Sequence, residues 1–467
     1  MDPTSRSAAF YYRLPAFAQN LAIAAAGIPK RRTRFGSEFD RRLEFLRDSA
    51  TWDRVRINTY QDQQTAAIVE RAYRETEYYR RIMDERGLRP SDIQGVADLP
   101  KLPLLTKGDI RENFEQLITA PAKRRRLLEV YTSGSTGAPL RILTDPEAIA
   151  FKWAVWWRHR EWFGMGRGDL HANVMTKPLV SPRATRPPYW RWNRLENQAI
   201  IPMQQVVPGK VAAIAGFLEQ HPFRFFSGYP SILHSLAVIA LDLGLALDNG
   251  PAVIFTGAEA VLEQQRVDLH QFTGATVVEM YGFNEGAGNA SSCAEGNLHE
   301  DFEFGHLECV DPVVDPSTEN LSAGVVATGF SSTGFPIIRY DVGDIGNWRP
   351  DGFRCPCGRE SRVLASIGGR WEDYIVTPDG HQARRLGELF KEMPNLKQFQ
   401  MVQSSPEAVT LRLAVRDAYS QSDEDQLRRR VATWISDSLR VEFAYVDAIE
   451  PGPNGKYQRI VSNVSEL

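Results

Sequence analysis

From residue 36 to about residue 90 the hydrophobic positions recur every three or four residues, as in Phe39, Leu43, Phe45 and Leu46, with charged residues between them. That period predicts helices with one buried face. Residues 98–105 read as an extended, proline-bearing connection, and Thr106 followed by Asp109 predicts a capped helix running to Asn113. Leu127-Leu128-Glu129-Val130-Tyr131 predicts a short strand. Phe151 to Phe163 predicts a helix whose Trp153, Trp156, Trp157 and Trp162 pack in the core. Residues 172–200, rich in Pro, Arg and Trp, have no clean period and are expected to form a surface or a pocket wall.

Between about 201 and 345 the pattern alternates. Short apolar runs at Phe223–Phe226, Ala252–Phe255 and Thr276–Met280 are separated by helical patterns at Ser231–Leu243 and from Leu262 onward. The alternation predicts layered α/β structure with mostly parallel strands. Gly368 to Asp373 reads as a linker. Past it the pattern becomes a compact α+β unit, with strands near Asp373–Thr377, Gln398–Gln403, Val409–Val415 and Val441–Ile449, and a helix from Ser422, its cap, to Leu439. The fold class expected is α/β: a large N-terminal domain of layered sheets, residues 1–368 with a helical extension over 1–60, and a small mobile C-terminal domain over 374–467.

Composition narrows the class. A chain of 467 residues exceeds one ordinary core, so more than one domain is expected. Hydrophobic residues at 43% and charged residues at 24% are ordinary for a globular protein, and a net charge of −3 asks for neither nucleic acid nor an anionic surface as a partner of the whole chain. The cysteines Cys293, Cys309, Cys355 and Cys357 are too few and too clustered for a secreted disulfide framework and fit a cytoplasmic location. No targeting segment or membrane span is expected: Leu14–Pro29 is apolar, but Gln19 and Asn20 interrupt it and it is too short to span. Its expected state is a helix packed on the body, the alternative being a loose membrane contact through Phe10-Tyr11-Tyr12 and Lys30-Arg31-Arg32. The run Lys123-Arg124-Arg125-Arg126 reads as a solvated face.

Chemistry concentrates where strands end. Tyr131 to Leu140, YTSGSTGAPL, follows a strand with Gly134 and Gly137 free to turn backbone N–H groups inward, and with Thr132, Ser133, Ser135 and Thr136 as hydroxyl donors. This is the composition of a phosphate cradle or of a flexible surface loop, and it lacks the Gly-Lys-Ser/Thr ending of a Walker loop. The strand at Ala252–Phe255 runs into Gly257-Ala258-Glu259, and that at Thr276–Met280 into Tyr281-Gly282-Phe283-Asn284-Glu285. Ligands in open α/β sheets bind beyond the carboxyl ends of strands, so these loops can converge on one cleft. Ile337–Tyr340 leads to Asp341-Val342-Gly343-Asp344, and Lys456 sits in a Gly/Pro-framed loop near the end of the chain.

Taken in order, these motifs resemble those of the adenylate-forming enzymes, within them the phenylacetate–CoA ligase-like branch. Thr132–Pro139 is similar to that family's phosphate loop, Gly257-Ala258-Glu259 to its adenine-side loop, and Tyr281–Glu285 to its Tyr-Gly-x-x-Glu motif. Arg339–Asp344 is similar to the ribose motif, Gly369-Arg370 with Glu372-Asp373 to the hinge at 369–373, and Gly455-Lys456 to the terminal lysine motif. Thr106–Asn113 and Gly228-Tyr229-Pro230-Ser231 carry the likeness to the branch. The chain departs from the family pattern at Ala138-Pro139-Leu140, where a lysine is common, at Asn284 in place of Thr, and at Asp341 in place of a basic residue.

The resemblance implies activation of a carboxylic acid by ATP to an acyl-adenylate, with pyrophosphate released and the acyl group then passed to coenzyme A. It implies Lys456 as the electrostatic catalyst and Glu285, with Thr136, as the holder of Mg²⁺. ATP would contact Thr132, Ser133, Gly134, Ser135, Thr136 and Gly137, with Gly257, Ala258, Glu259, Tyr281, Gly282 and Asn284 around adenine and phosphates, and Asp344 and Arg370 at the ribose. Glu372 and Asp373 would be the pivot on which the small domain turns. Cys293, His299, Cys355 and Cys357 supply the ligands of a closed structural zinc site, the alternative being reduced core thiols. Other readings stay open: transfer to an amine, hydroxyl or carrier-protein thiol, or a nucleotide-binding relative without turnover. The identity of the acid is open, and the chain is compatible with a homodimer.

Overall fold

In the computed structural model, the residues described are 6–125, 127–132, 139–314, 321–370, 374–380, 382–383, 386–390, 393–450, 452 and 457–464. The chain opens with helices α1 (Arg6–Arg13), α2 (Ala16–Arg34), α3 (Ser37–Ser49), α4 (Arg54–Glu75) and α5 (Glu77–Glu85). Asp53 caps α4 by accepting from the Arg56 amide at 2.8 Å. The expected Thr106 cap is present on α6 (Lys107–Glu112): Thr106 Oγ1 accepts from the Asp109 amide, and Asp109 accepts from the Thr106 amide at 2.8 Å. Of residues 98–105, expected to be extended, the first four lie in a 3₁₀ helix, Val96–Lys101.

Strands β1 (Leu128–Tyr131) and β2 (Arg141–Thr144) pair as an antiparallel hairpin, so the serine- and glycine-rich segment spans its tip. Helix α7 (Pro146–Glu161) follows. Next come β3 (His171–Met175), β4 (Arg191–Asn193), β5 (Gln198–Pro202), α8 (Pro208–Glu219), β6 (Phe225–Gly228), α9 (Pro230–Asp242), β7 (Val253–Gly257), α10 (Glu263–Thr273) and β8 (Thr276–Gly282). Strands β5, β3, β6, β7 and β8 are neighbours in that order and run parallel. Their side chains alternate between two cores, as a period of two requires. Phe225, Val253 and Phe255 pack with α3 and α7 on one face, while Phe226 and Ile254 pack with α8, α9 and α10 on the other. A sheet buried on both faces explains the continuous apolar runs of β6 and β7.

Two expectations need correction here. Residues 172–200, expected to be irregular, contribute β3, β4 and the start of β5. Beyond β8 the strands are not parallel. β9 (Asn289–Ser292), β10 (Leu298–Glu300), β11 (Gly305–Val314), β12 (Leu321–Gly329), β13 (Tyr340–Trp348) and β14 (Val363–Arg370) join the same sheet in antiparallel pairings, giving twelve strands among the described residues. The supposed linker from Gly368 therefore begins inside β14, and Asp341–Asp344 lies in β13 rather than in a loop after it.

A separate sheet follows the short pair β15 (Ile375–Val376) and β16 (Gln382–Ala383). It consists of β17 (Leu396–Ser405), β18 (Ala408–Val415), β19 (Arg440–Tyr445) and β20 (Ile460–Ser462), in the order β19-β18-β17-β20. Helix α11 (Gln421–Trp434) covers it, burying Leu427 and Val431 against Met401, Leu411 and Leu413. Its cap is Ser420, paired with Asp423, not Ser422, and the helix stops at Trp434 rather than Leu439.

Candidate active site

The motif loops meet at the carboxyl ends of β7 and β8, which are adjacent and parallel with Gly257 opposite Met280. Ala258 turns the chain out of β7 with a φ of 68°, a left-handed conformation that costs a residue with a Cβ about 1 kcal/mol. Glu259 then folds back, accepting from the Ser231 amide at 3.2 Å, so the start of α9 is tied to this loop. The Oε1 atom of Glu259 is buried without a hydrogen-bond partner among the described residues.

On β8, the Tyr281 hydroxyl donates to Asp344 Oδ2 of β13 at 2.9 Å. Burial, reinforced by the Asp344 charge, pushes the Tyr281 phenol well above its ordinary range, so it stays a donor. At Gly282 an added Cβ would lie 2.4 Å from Asn289 Oδ1, which leaves room only for glycine. Asn284 donates to the Tyr131 carbonyl at 3.3 Å, linking the motif to the end of β1. Glu285 accepts from the Tyr340 hydroxyl at 2.8 Å. Tyr340 itself is fully buried, and its strand bridges Leu105, which brings the Thr106–Asn113 segment alongside. Lys107 Nζ consequently sits 3.4 Å from where a Cβ on Gly343 would be. Asp344 faces Arg370 across the β13–β14 pair.

A cation that the motifs do not name completes this wall. Lys152 of α7 is half-buried and donates to the Phe283 carbonyl at 3.2 Å, within the field of Glu285. Burial lowers its ammonium to about 8, against the pull of Glu285. Nothing but its place nearly two turns into the helix that follows the β1–β2 hairpin could have singled it out.

On the antiparallel side, Cys293, His299, Cys355 and Cys357 bring one ligand atom each within 4.8 Å of one another. Cys293 Sγ lies 3.7 Å from Cys355 Sγ, and Cys357 Sγ lies 3.3 Å from His299 Nε2. The other ring nitrogen of His299 is 3.3 Å from Ser361 Oγ, which orients the ring.

The C-terminal unit docks on α9 and α10 through polar contacts. Lys397 pairs with Asp242 at 2.6 Å, and Arg416 pairs with Asp268, which is buried and also bonded to His234 at 2.7 Å. Gln398 and Tyr457 both meet Ser235, at 3.2 and 3.1 Å.

Residues 375–463 match the CapK C-terminal domain family. Over 97% of its length the chain is 23% identical to protein CapK of Staphylococcus aureus, covering 99% of that protein. Phenylacetate-coenzyme A ligase of Thermus thermophilus is 25% identical over 70% of this chain and 73% of its own. Among solved structures, 2-hydroxyisobutyryl-CoA ligase in the postadenylation state with 2-HIB-AMP aligns with a TM-score of 0.69, at 19% identity, over 89% of this chain and 92% of the ligase. The chain shares the fold of an adenylate-forming ligase and is similar in sequence to phenylacetate-coenzyme A ligases.

The same ligase in its thioesterification state aligns at a TM-score of 0.56, at 20% identity and over 89% and 91% of the chains. Of the residues that the adenylate-forming motifs single out, Gly257, Ala258, Glu259, Tyr281, Gly282, Asn284 and Glu285 lie at and just beyond the carboxyl ends of β7 and β8, Asp344 of β13 is joined to them through Tyr281, and Thr132 follows the end of β1 that Asn284 bonds. Ser133, Gly134, Ser135, Thr136, Gly137, Glu372, Asp373 and Lys456 lie outside the described residues, as does the side chain of Arg370.

Proposed function

We propose that this chain activates a carboxylic acid with ATP and transfers the acyl group to the thiol of coenzyme A. The observation that carries the reading is the hydrogen bond from Tyr281 to Asp344, which joins the adenine-side and ribose-side motifs into one pocket wall. In the first step a carboxylate oxygen bonds to the α-phosphorus as the bond from that phosphorus to the bridging oxygen breaks, and pyrophosphate leaves. In the second the thiol sulfur, its proton given to water, bonds to the acyl carbon and AMP leaves.

Each chain residue has a definable task. Asp344 accepts from the ribose hydroxyls, and Tyr281 keeps its carboxylate aimed while lying against adenine. Lys152 supplies a desolvated positive charge beside Glu285, suited to holding the acid's carboxylate close to an anionic triphosphate. Glu285, fixed by Tyr340, and Thr136 would hold Mg²⁺, which offsets charge on the phosphates. Lys456 stabilises charge that grows on the α-phosphoryl group.

Residues 1–368 and 374–467 act as two bodies about a pivot at 369–373. The docked arrangement, with Tyr457 on Ser235, is the one we assign to adenylation, in keeping with the better match to the postadenylation state.

The cysteine–histidine cluster fits zinc. Sulfur atoms about 2.3 Å from a tetrahedral ion stand about 3.8 Å apart, close to the 3.7 Å between Cys293 and Cys355. All the protein ligands are present, so the site would be structural, fastening the β9–β10 turn to the segment before β14.

Pyrophosphate release with ATP, Mg²⁺ and a panel of aryl, fatty and hydroxy acids tests the reading, with coenzyme A or hydroxylamine as acceptor. The wild type is expected to release pyrophosphate, and Lys456→Ala to do so about a hundredfold more slowly. No release across the panel, or no effect of Lys456→Ala, would sink it. Hydroxamate formed without any coenzyme A thioester would move the acceptor to another nucleophile.

A further inference from the structure

Helix α2 is packed with its polarity reversed. Its body-facing side chains are polar: Gln19 is 3% exposed and accepts from Arg191 Nε at 2.6 Å, and Asn20 accepts from the Trp192 amide of the edge strand β4 at 2.9 Å. Arg31 bonds the Leu195 carbonyl, and Arg34 lies 4.1 Å over the Trp153 ring. Helix α1 is pinned to the body by Tyr11 and Tyr12, whose hydroxyls donate to the carbonyls of Leu179 and Pro178 at 3.0 and 2.7 Å. With the polar face spent on the body, the apolar face looks outward. Phe10 and Phe17 are each 68% exposed, Leu21 66% and Ile28 44%, with Ala22, Ala25, Ala26 and Pro29 exposed between and beside them.

Phe17, Leu21, Ala25 and Ile28 share one face of α2, and with Phe10 on the preceding helix the four large apolar side chains within nineteen residues are not the scattered exposure of an ordinary surface. Charge identifies what covers them. From Pro3 to Ser37 the sequence has no acidic residue, while Arg13, Lys30 and Arg32 are exposed at the ends of the apolar stripe, in a chain whose net charge is −3. A second copy seated on this face would bring like charges together, whereas an anionic lipid surface supplies both an apolar interior and opposite charge. No helix among the described residues is long and apolar enough to cross a membrane, so the geometry is that of a helix lying in the interface plane.

We propose that the outer face of α1 and α2 docks the protein on anionic phospholipid membranes, Phe10, Phe17, Leu21 and Ile28 entering the headgroup boundary and Arg13, Lys30 and Arg32 meeting the phosphates. This stands apart from the reaction proposed above and does not depend on it.

Flotation of the full chain with vesicles of phosphatidylcholine, with and without phosphatidylglycerol, tests it. The wild type is expected to float with the phosphatidylglycerol vesicles and to stay behind with phosphatidylcholine alone. The Phe17→Ser, Leu21→Ser, Ile28→Ser variant is expected to lose flotation with its melting temperature and circular dichroism unchanged. Lys30→Ser with Arg32→Ser, a change confined to exposed side chains, should weaken binding about thirtyfold. A wild type that fails to float with anionic vesicles, or charge-deleted protein that floats as well as wild type, overturns the proposal. So does a dimer in sedimentation that the triple serine variant dissolves while neither protein binds vesicles, which would assign the face to a second copy.

Discussion

Lys152 is a lysine whose charge is conditional. Its ammonium titrates at about 8 in the folded protein and near 10.5 when free, burial being the larger cause and Glu285 opposing it. The charged form therefore carries a folding penalty that is complete below pH 8 and fades as pH climbs between the two values, so this residue makes the fold more stable with rising pH in that window. Acid binding should run the other way. The wild-type KM for the acid, followed by pyrophosphate release, should climb as pH passes about 8, because the cation is lost. Lys152→Met should raise that KM at neutral pH roughly tenfold to a hundredfold and flatten the profile, a charge-assisted hydrogen bond being worth about 1.5–3 kcal/mol. A KM unchanged by the substitution would remove Lys152 from the acid's pocket.

At the scale of elements, zinc at the cysteine–histidine cluster would tie the β9–β10 turn to the segment before β14, adding to the pairing of β9, β10 and β14 in the sheet. Cys293 follows β9, His299 lies in β10, and Cys355 and Cys357 precede β14. Cys357→Ser, or a strong chelator, should lower the melting temperature by several degrees and abolish stoichiometric zinc in metal analysis, with little change in ATP affinity. The elements also show what a sequence can and cannot carry. Thr106 with Asp109, and the apolar runs of β7 and β8, were legible because capping chemistry and double-sided burial leave local marks. The direction of β9–β14 was not, since a period of two is the same for either pairing sense. β3 was obscured by His171 and Asn173. That histidine stacks on Phe225 with ring centroids 4.6 Å apart, a tertiary contact that offsets its polarity. Ser422 competed with Ser420 for the cap of α11: each has an aspartate three residues on, Asp425 and Asp423, so the capping pattern alone does not choose, and the fold uses Ser420 with Asp423. In the cleft, motif residues were readable from their order, but Lys152 was not, because a lysine in a tryptophan-rich helix carries no local sign of what faces it.

At the scale of the molecule, Asp268 is the buried anion in the contact between α10 and the C-terminal unit, paired with Arg416 and bonded to His234. Burial opposes ionisation of Asp268, yet the hydrogen bond and charge of His234, together with Arg416, draw its pKa below 3.8. Its contribution is accordingly present in full above pH 3.8 and lost as pH falls through the lower folded value. Asp268→Asn keeps a hydrogen-bonding partner for His234 but removes the ion pair with Arg416. In small-angle scattering it should populate a less compact form, and it should slow pyrophosphate release more than it alters the KM for ATP. Scattering identical to wild type would show that the docked state does not rest on this pair.

The polar make-up of that interface has a practical consequence. Contacts such as Lys397 with Asp242 are exposed enough to be screened by ions, whereas Asp268 is not. Ionic strength should thus act as a graded control on domain position, loosening the rim before the centre. If the two proposed steps use different domain orientations, adenylation and acyl transfer would have different salt optima, and added potassium chloride would shift the balance between trapped acyl-adenylate and finished thioester.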